Sequence, residues 1–188
     1  MPAKTTLDLT SLQEQLSQVE TGSTKEAELW QQIGEIEIDA HQYEKAIEYL
    51  KKALAYWQTQ DNEVKQADAL YELSRAYHRN DNDDEALVSI QQAFDYYKKW
   101  GTSEALPKVH HRIALLNIQN RAFDVAKQEL DTGLKLAELH ENWEIWGNCQ
   151  TLLGDMSLIQ QDYQKSIKYY QNALKGYETA KNNKGLAE

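Results

Sequence analysis

The chain has 188 residues, 41% of them hydrophobic and 27% charged, with a formal net charge of -10. That is long enough for one well-buried core or a short repeat array, and too apolar for disorder. A single cysteine, Cys149, excludes an internal disulfide and a multi-thiolate metal cage, and the acidic balance opposes general binding to nucleic acid, whose affinity rests mainly on phosphate neutralisation.

Taken in chain order, residues 1–22 read as an N-terminal segment with a short helix. The start, "MPAKTTLDLTSLQ", has no apolar signal core, and no run approaches the ~20 apolar residues of a membrane span. A cytoplasmic protein without membrane contact is expected. "STKE", Ser23 to Glu26, is a capping box that opens a first helix. From there the chain repeats itself. "YEKAIEYLKKAL" from Tyr43, "DDEALVSIQQAF" from Asp83, "FDVAKQELDTGL" from Phe123 and "YQKSIKYYQNAL" from Tyr163 align at a constant period of 40, without insertion or deletion. The segments before them align as well: "LWQQIGEIEI" from Leu29, "ALYELSRAYH" from Ala69, "VHHRIALLNI" from Val109 and "CQTLLGDMSL" from Cys149. Units are therefore expected over 23–60, 61–100, 101–140 and 141–180, each a helix A, a tight turn and a helix B. Asp81 to Asp84, "DNDD", supplies N-cap candidates, and Pro107 restricts the start of the third helix A to its own first turn. "KNNKGLAE" from Lys181 aligns with "DNEVKQAD" from Asp61, so 181–188 reads as the opening of a further, truncated repeat. The chain is therefore expected to be a piece of a longer protein or a module completed by a partner.

Two kinds of column run through the four copies. Small residues occupy Gly34, Ser74, Ala114 and Gly154, then Ala46, Ala86, Ala126 and Ser166, then Ala53, Ala93, Gly133 and Ala173. Such columns are needed where two helix backbones approach closely. Large apolar residues fill Ile33, Leu73, Ile113 and Leu153, and Leu50, Ile90, Leu130 and Tyr170, at the spacing of an amphipathic helix.

Over about residues 24 to 180 this pattern resembles the tetratricopeptide repeat (TPR) family. The family's motif is matched in the first copy by Trp30, Ile33, Gly34, Ala46, Leu50 and Ala53; its Tyr slot holds Glu37 there and Tyr77 in the second copy. The usual period is about 34 residues, so the six extra residues lengthen each helix by somewhat under one turn. The resemblance implies an all-α, right-handed superhelix of helical hairpins, four repeats plus the N-terminal helix, and a nonenzymatic protein-binding role.

No HExxH, GxSxG, phosphate loop or EF-hand loop is present, and no catalytic residue, metal site or cofactor is expected. His110 and His111 point about 100° apart on a helix; His110 falls in Trp30's column and reads as a packed, hydrogen-bonded residue. Cys149 sits in an apolar column as an inert thiol. The aromatic columns Trp57, Tyr97 and Tyr177, and Tyr43, Phe123 and Tyr163, read as core. Trp143 and Trp146 either fill the joint between the third and fourth units or expose a sticky edge.

In the family helix A lines a concave groove. Carried over, its groove positions are Glu28, Gln31, Glu35 and Ile38 in the first copy and Tyr71, Arg75, His78 and Arg79 in the second. In the third they are Lys108, His111, Arg112, Leu115 and Gln119, and in the fourth Asn148, Thr151, Asp155, Leu158 and Ile159. The stretch "KVHHR", Lys108 to Arg112, thus lands largely on the groove. Lys108 and Arg112 match the third-repeat pair of the family's carboxylate clamp, while Gln31, Glu35 and Glu72 depart from the rest of it. A groove with a basic centre for an acidic protein or peptide segment is the expectation, with self-association through the terminal repeats, or regulation within a larger enzyme or signalling protein, as alternatives. Arg112, which has no acidic residue at i±3 or i±4, is its expected anchor, and His78 and His111 are expected to strengthen binding as pH falls towards ~6.5. The competing reading is local pairing, of Arg75 with Glu72 and of Lys108 with Glu104.

Overall fold

A computed structural model describes residues 2–185, with side chains described from 9 to 183. Among these are nine α-helices and no strand: α1 (Pro2–Gln18), α2 (Thr24–Asp39), α3 (Tyr43–Thr59), α4 (Glu63–Arg79), α5 (Asp83–Lys99), α6 (Leu106–Gln119), α7 (Phe123–Leu139), α8 (Trp143–Ile159) and α9 (Tyr163–Gly185). A 3-10 turn at Ser103–Ala105 leads into α6. No helix among the described residues is long and apolar enough to cross a membrane.

Turn chemistry explains the constant register. At the end of each helix from α2 to α8 one residue takes a left-handed conformation: His41, Asp61, Asp81, Gly101, Arg121, Glu141 and Gln161, with φ between 50° and 66°. The following amide reaches back to close a Schellman motif, as in Gln42 N–H to Glu37 O at 2.8 Å, Ala122 N–H to Asn117 O at 2.8 Å and Asp162 N–H to Ser157 O at 2.9 Å. The same device recurs every twenty residues, so the sequence period of forty is two helices and two identical turns. Starts are also built locally. The Ser23 hydroxyl accepts from Glu26 N–H while Glu26 accepts from Gly22 N–H at 2.6 Å, and Asn62 and Asn142 cap α4 and α8. Pro107 lies in the first turn of α6, where its missing N–H costs nothing.

The chain divides into two compact units, Met1–Tyr96 and Tyr97–Glu188. In the first, α1 packs on α2, α2 and α3 form a hairpin, and α4 lies against both. In the second, α6 and α7 form a hairpin, α8 lies against both, and α9 pairs with α8.

The small-residue columns are buried throughout, and the reason is steric. A Cβ on Gly34 would stand 2.7 Å from Leu50 Cγ, and one on Gly154 would stand 2.7 Å from Tyr170 Cε1. The large column is core in Ile33, Leu73, Ile113, Leu153, Leu50, Ile90 and Leu130. Tyr170 is only half-buried, because its hydroxyl reaches out to donate to Asp155 Oδ1 at 2.6 Å. In the second unit Ala114, Ala126, Leu130, Cys149, Leu153 and Met156 form one apolar cluster.

Two readings need adjustment. Trp143 and Trp146 are half-buried and stacked edge-to-face at 6.2 Å, and Trp146 covers Gly176 of α9, where a Cβ would meet its ring at 2.9 Å. The large indole is matched by a missing side chain on the facing helix, so the pair belongs to the α8–α9 hairpin. And α9 runs without a break from Tyr163 to Gly185, so Lys181 and Asn182 continue the helix where their counterparts Asp61 and Asn62 make a turn. Residues 186–188 of the expected further repeat lie outside the described residues.

Candidate peptide-binding faces

The predicted groove residues fall on α4 in the first unit and α6 in the second. On α4, Tyr71, Arg75 and His78 are half-buried and Arg79 is exposed. They share a face because i, i+4 and i+7 lie one above another along a helix. Arg75 is committed locally: its Nη1 donates to Glu72 at 2.6 Å, and its Nη2 stands 3.6 Å from Asp39. Burial opposes its charge, but Glu72, with smaller contributions from Tyr71 and Asp39, outweighs that and raises its pKa. His78 Nδ1 lies 2.9 Å from Asp83 Oδ1, across the turn into α5. The local-pairing reading thus holds for Arg75.

On α6, Lys108, His111, Arg112 and Leu115 are half-buried and Gln119 is exposed. Lys108 Nζ sits 5.6 Å over the Tyr97 ring, a cation–π contact that uses the charge without neutralising it. Arg112 is not the unengaged cation expected from its neighbours at i±3 and i±4; it makes contacts of its own in the fold, and its charge acts on His111. Burial first, and the Arg112 guanidinium second, depress His111 to about 4. His111 is therefore neutral across the physiological range, and the expectation that it charges near pH 6.5 is overturned. His110, by contrast, behaves as its column indicated: it is buried, with Nδ1 2.6 Å from Glu129 Oε2 on α7.

In the first repeat Glu28, Gln31 and Glu35 line an open, polar depression with Gln32 and Lys65, while Ile38 is core and leaves the candidate set. In the fourth, the polar candidates are occupied from within. The Tyr177 hydroxyl donates to Asn148 Oδ1 at 2.8 Å and lies 3.1 Å from Thr151 Oγ1, and Tyr170 takes Asp155. Leu158 and Ile159 remain about half exposed. Sequence alignment put Tyr170 and Tyr177 in core columns, and only the hydroxyl of Tyr170, which the aliphatic members of its column lack, could have signalled this. Cys149 is fully buried, and burial pushes its thiol up to about 12, as an inert thiol should be. Among the described residues no group of three or more His, Cys, Asp or Glu could hold a metal ion.

Residues 25–99 match the model of the family described as tetratricopeptide repeat. No curated protein matches the chain. Solved structures do. Aspartyl phosphate phosphatase F from Bacillus subtilis superimposes with a TM-score of 0.73 at 12% identity, over 93% of this chain and 56% of that one. The apo form of RapI gives 0.74 at 16%, over 96% of this chain and 50% of that one. A putative kinesin light chain from P. anserina with nearly identical TPR-like repeats gives 0.73 at 14%, over 96% and 90%. The chain thus spans about half the length of the phosphatase and of RapI, and at these identities the likeness is one of fold. Residues 25–99 thus carry a tetratricopeptide repeat match, and the helical-hairpin fold that continues past them is that of TPR-like solenoids.

Proposed function

We propose that this protein-interaction repeat module works without catalysis of its own, by presenting a helix-A face in each unit, on α4 and on α6, to protein or peptide segments, and that these segments are acidic. The observation that carries this reading is the composition of the α6 face. Lys108, Arg112, Leu115 and Gln119 lie along one side of the helix and keep part of their surface in water, although the adjoining residues Val109, Ile113 and Leu116 are core. A rigid, preformed face that mixes cationic heads with apolar stems suits an extended or helical ligand, since little ordering is needed on the protein's side. On α4 the exposed Arg79 and half-buried Tyr71 supply the same pairing of charge and apolar surface.

Because Arg112 is half-buried and engaged, its reversal would disturb the fold together with any ligand. Arg79→Glu and Lys108→Glu are cleaner probes. Peptide arrays read at about 50 and about 300 mM salt should show acidic peptides favoured by the wild type, weakened at least about threefold by either variant, and weakened again by salt. Profiles that ignore both variants and salt would overturn the reading.

A further inference from the structure

We infer that two tyrosines of α9 act as a built-in occupant of the α8 face: their hydroxyls hold the groups that a ligand would otherwise engage, which closes the fourth repeat and leaves selection in the second unit to α6. This rests on reading the helix-A face as the binding side. Tyr170 and Tyr177 stand seven residues apart on α9, and Gly154 and Gly147 seven apart on α8. Residues so spaced share one side of a helix. The rings cross α8 at those glycines: a Cβ on Gly147 would stand 2.8 Å from Tyr177 Cε1, and one on Gly154 2.7 Å from Tyr170 Cε1. Each crossing carries a hydroxyl from α9 to an expected groove position. Tyr177 donates to Asn148 Oδ1 at 2.8 Å, and Tyr170 to Asp155 Oδ1 at 2.6 Å. Thr151 lies between them, donating to Gly147 O at 3.1 Å with its Oγ1 3.1 Å from the Tyr177 hydroxyl.

The earlier hairpins are built differently at this place. Where the fourth copy has Tyr170 they have Leu50, Ile90 and Leu130, buried side chains with no hydrogen-bonding atom. Leu50 packs over Gly34, so the missing Cβ is used there too, without a hydroxyl to follow it. Where the fourth copy has Asp155 they have Glu35, Arg75 and Leu115. Glu35 accepts from Gln31, and Arg75 pairs with Glu72 and Asp39, all on helices A. The groups held by the two tyrosines are acceptors, an amide oxygen and a carboxylate about 10 Å apart along α8 at ~1.5 Å per residue. Released, they would suit a segment with two cationic donors about three residues apart in extended chain. That is the opposite chemistry to the acidic segments proposed for α4 and α6, so holding them from within keeps basic segments off the same unit.

The test is Tyr170→Phe with Tyr177→Phe in the full chain, which keeps both rings over the glycines and removes the two donors. On peptide arrays the double variant should bind peptides with Lys or Arg at i and i+3 at least about fivefold better than the wild type, while acidic-peptide binding and its response to Lys108→Glu stay unchanged. Adding Asp155→Asn should return basic-peptide binding to within about twofold of the wild type, which separates a gain through the α8 face from the general pull of an acidic protein on basic peptides. Circular dichroism and the urea midpoint report the fold. If the double variant loses helix content, Tyr170→Phe alone, which keeps the Tyr177 contacts, carries the same comparison with and without Asp155→Asn. A basic-peptide profile equal to that of the wild type, or a gain that survives Asp155→Asn, overturns the inference, and the tyrosines then serve only the hairpin. Acidic-peptide binding that ignores Lys108→Glu, alongside a basic-peptide gain that Asp155→Asn removes, would sink the reading of α6 and uphold the closure of α8.

Discussion

Six turns hold a non-glycine residue in the left-handed region, where the Cβ crowds the neighbouring carbonyl. Two of these are aspartates, which tolerate it; Arg121 and Gln161 do not have that excuse. Both are exposed, so glycine there should relieve strain without opening a cavity. Arg121→Gly and Gln161→Gly are each expected to raise unfolding free energy by about 0.5–1 kcal/mol, and Gly101→Ala to lower it by a similar amount, in urea titrations. Gly154 presents the opposite constraint. Its missing Cβ makes room for the Tyr170 ring, whose hydroxyl is anchored on Asp155. Gly154→Ala should cost about 1–3 kcal/mol, with most of the loss recovered by adding Tyr170→Leu. Cys149 should resist thiol-reactive reagents at pH 8 until the protein unfolds, because its thiol is both buried and pushed up to about 12.

At the level of the helix, α6 carries a pH-dependent element. Its His111 is held at about 4 in the folded chain, by burial first and Arg112 second, against ~6.5 in the unfolded chain. A depressed folded value means that the unfolded state binds the proton more readily. The stability from keeping His111 neutral is complete above pH ~6.5, falls as pH drops from ~6.5 to ~4, and is then spent. The loss amounts to up to about 3 kcal/mol. His111→Asn should flatten the stability profile over that window and leave it unchanged above pH 7, as read by denaturant titration at each pH. An unaltered slope between pH 6.5 and 4 would show that another group dominates. The expected pH response of binding was legible in the position of His111 but not in its burial, which is set by how α6 packs in its unit.

For the whole molecule, net charge matters more than individual pairs. The ion pairs Lys25–Glu28, Lys52–Glu48 and Lys165–Asp162 are exposed, and such pairs contribute little. A formal charge of -10 imposes a general self-repulsion that salt screens. Raising sodium chloride from about 20 to about 200 mM should therefore raise Tm by about 2–4 °C. A fall in Tm would mean that the pairs outweigh the repulsion.

The helices, the Ser23 cap, the forty-residue period and the small and large columns were determined by the sequence alone, because each depends on side-chain size and polarity at fixed spacing along the chain. Gly34, Ala46, Leu50 and Ala53 could be placed in the core from their columns, and Pro107 in a first turn from its chemistry. What the tertiary structure decided is where functional groups spend their interactions. Arg75 reaches Asp39 from another helix, Lys108 lies over Tyr97, and Tyr177 takes up Asn148, across 36, 11 and 29 residues of chain. Exposure on α9 was likewise settled in three dimensions. Ile167 and Leu174 have the same column signature as Ile47 and Leu54, yet the first pair is exposed and the second half-buried, a difference set by packing and not by residue type.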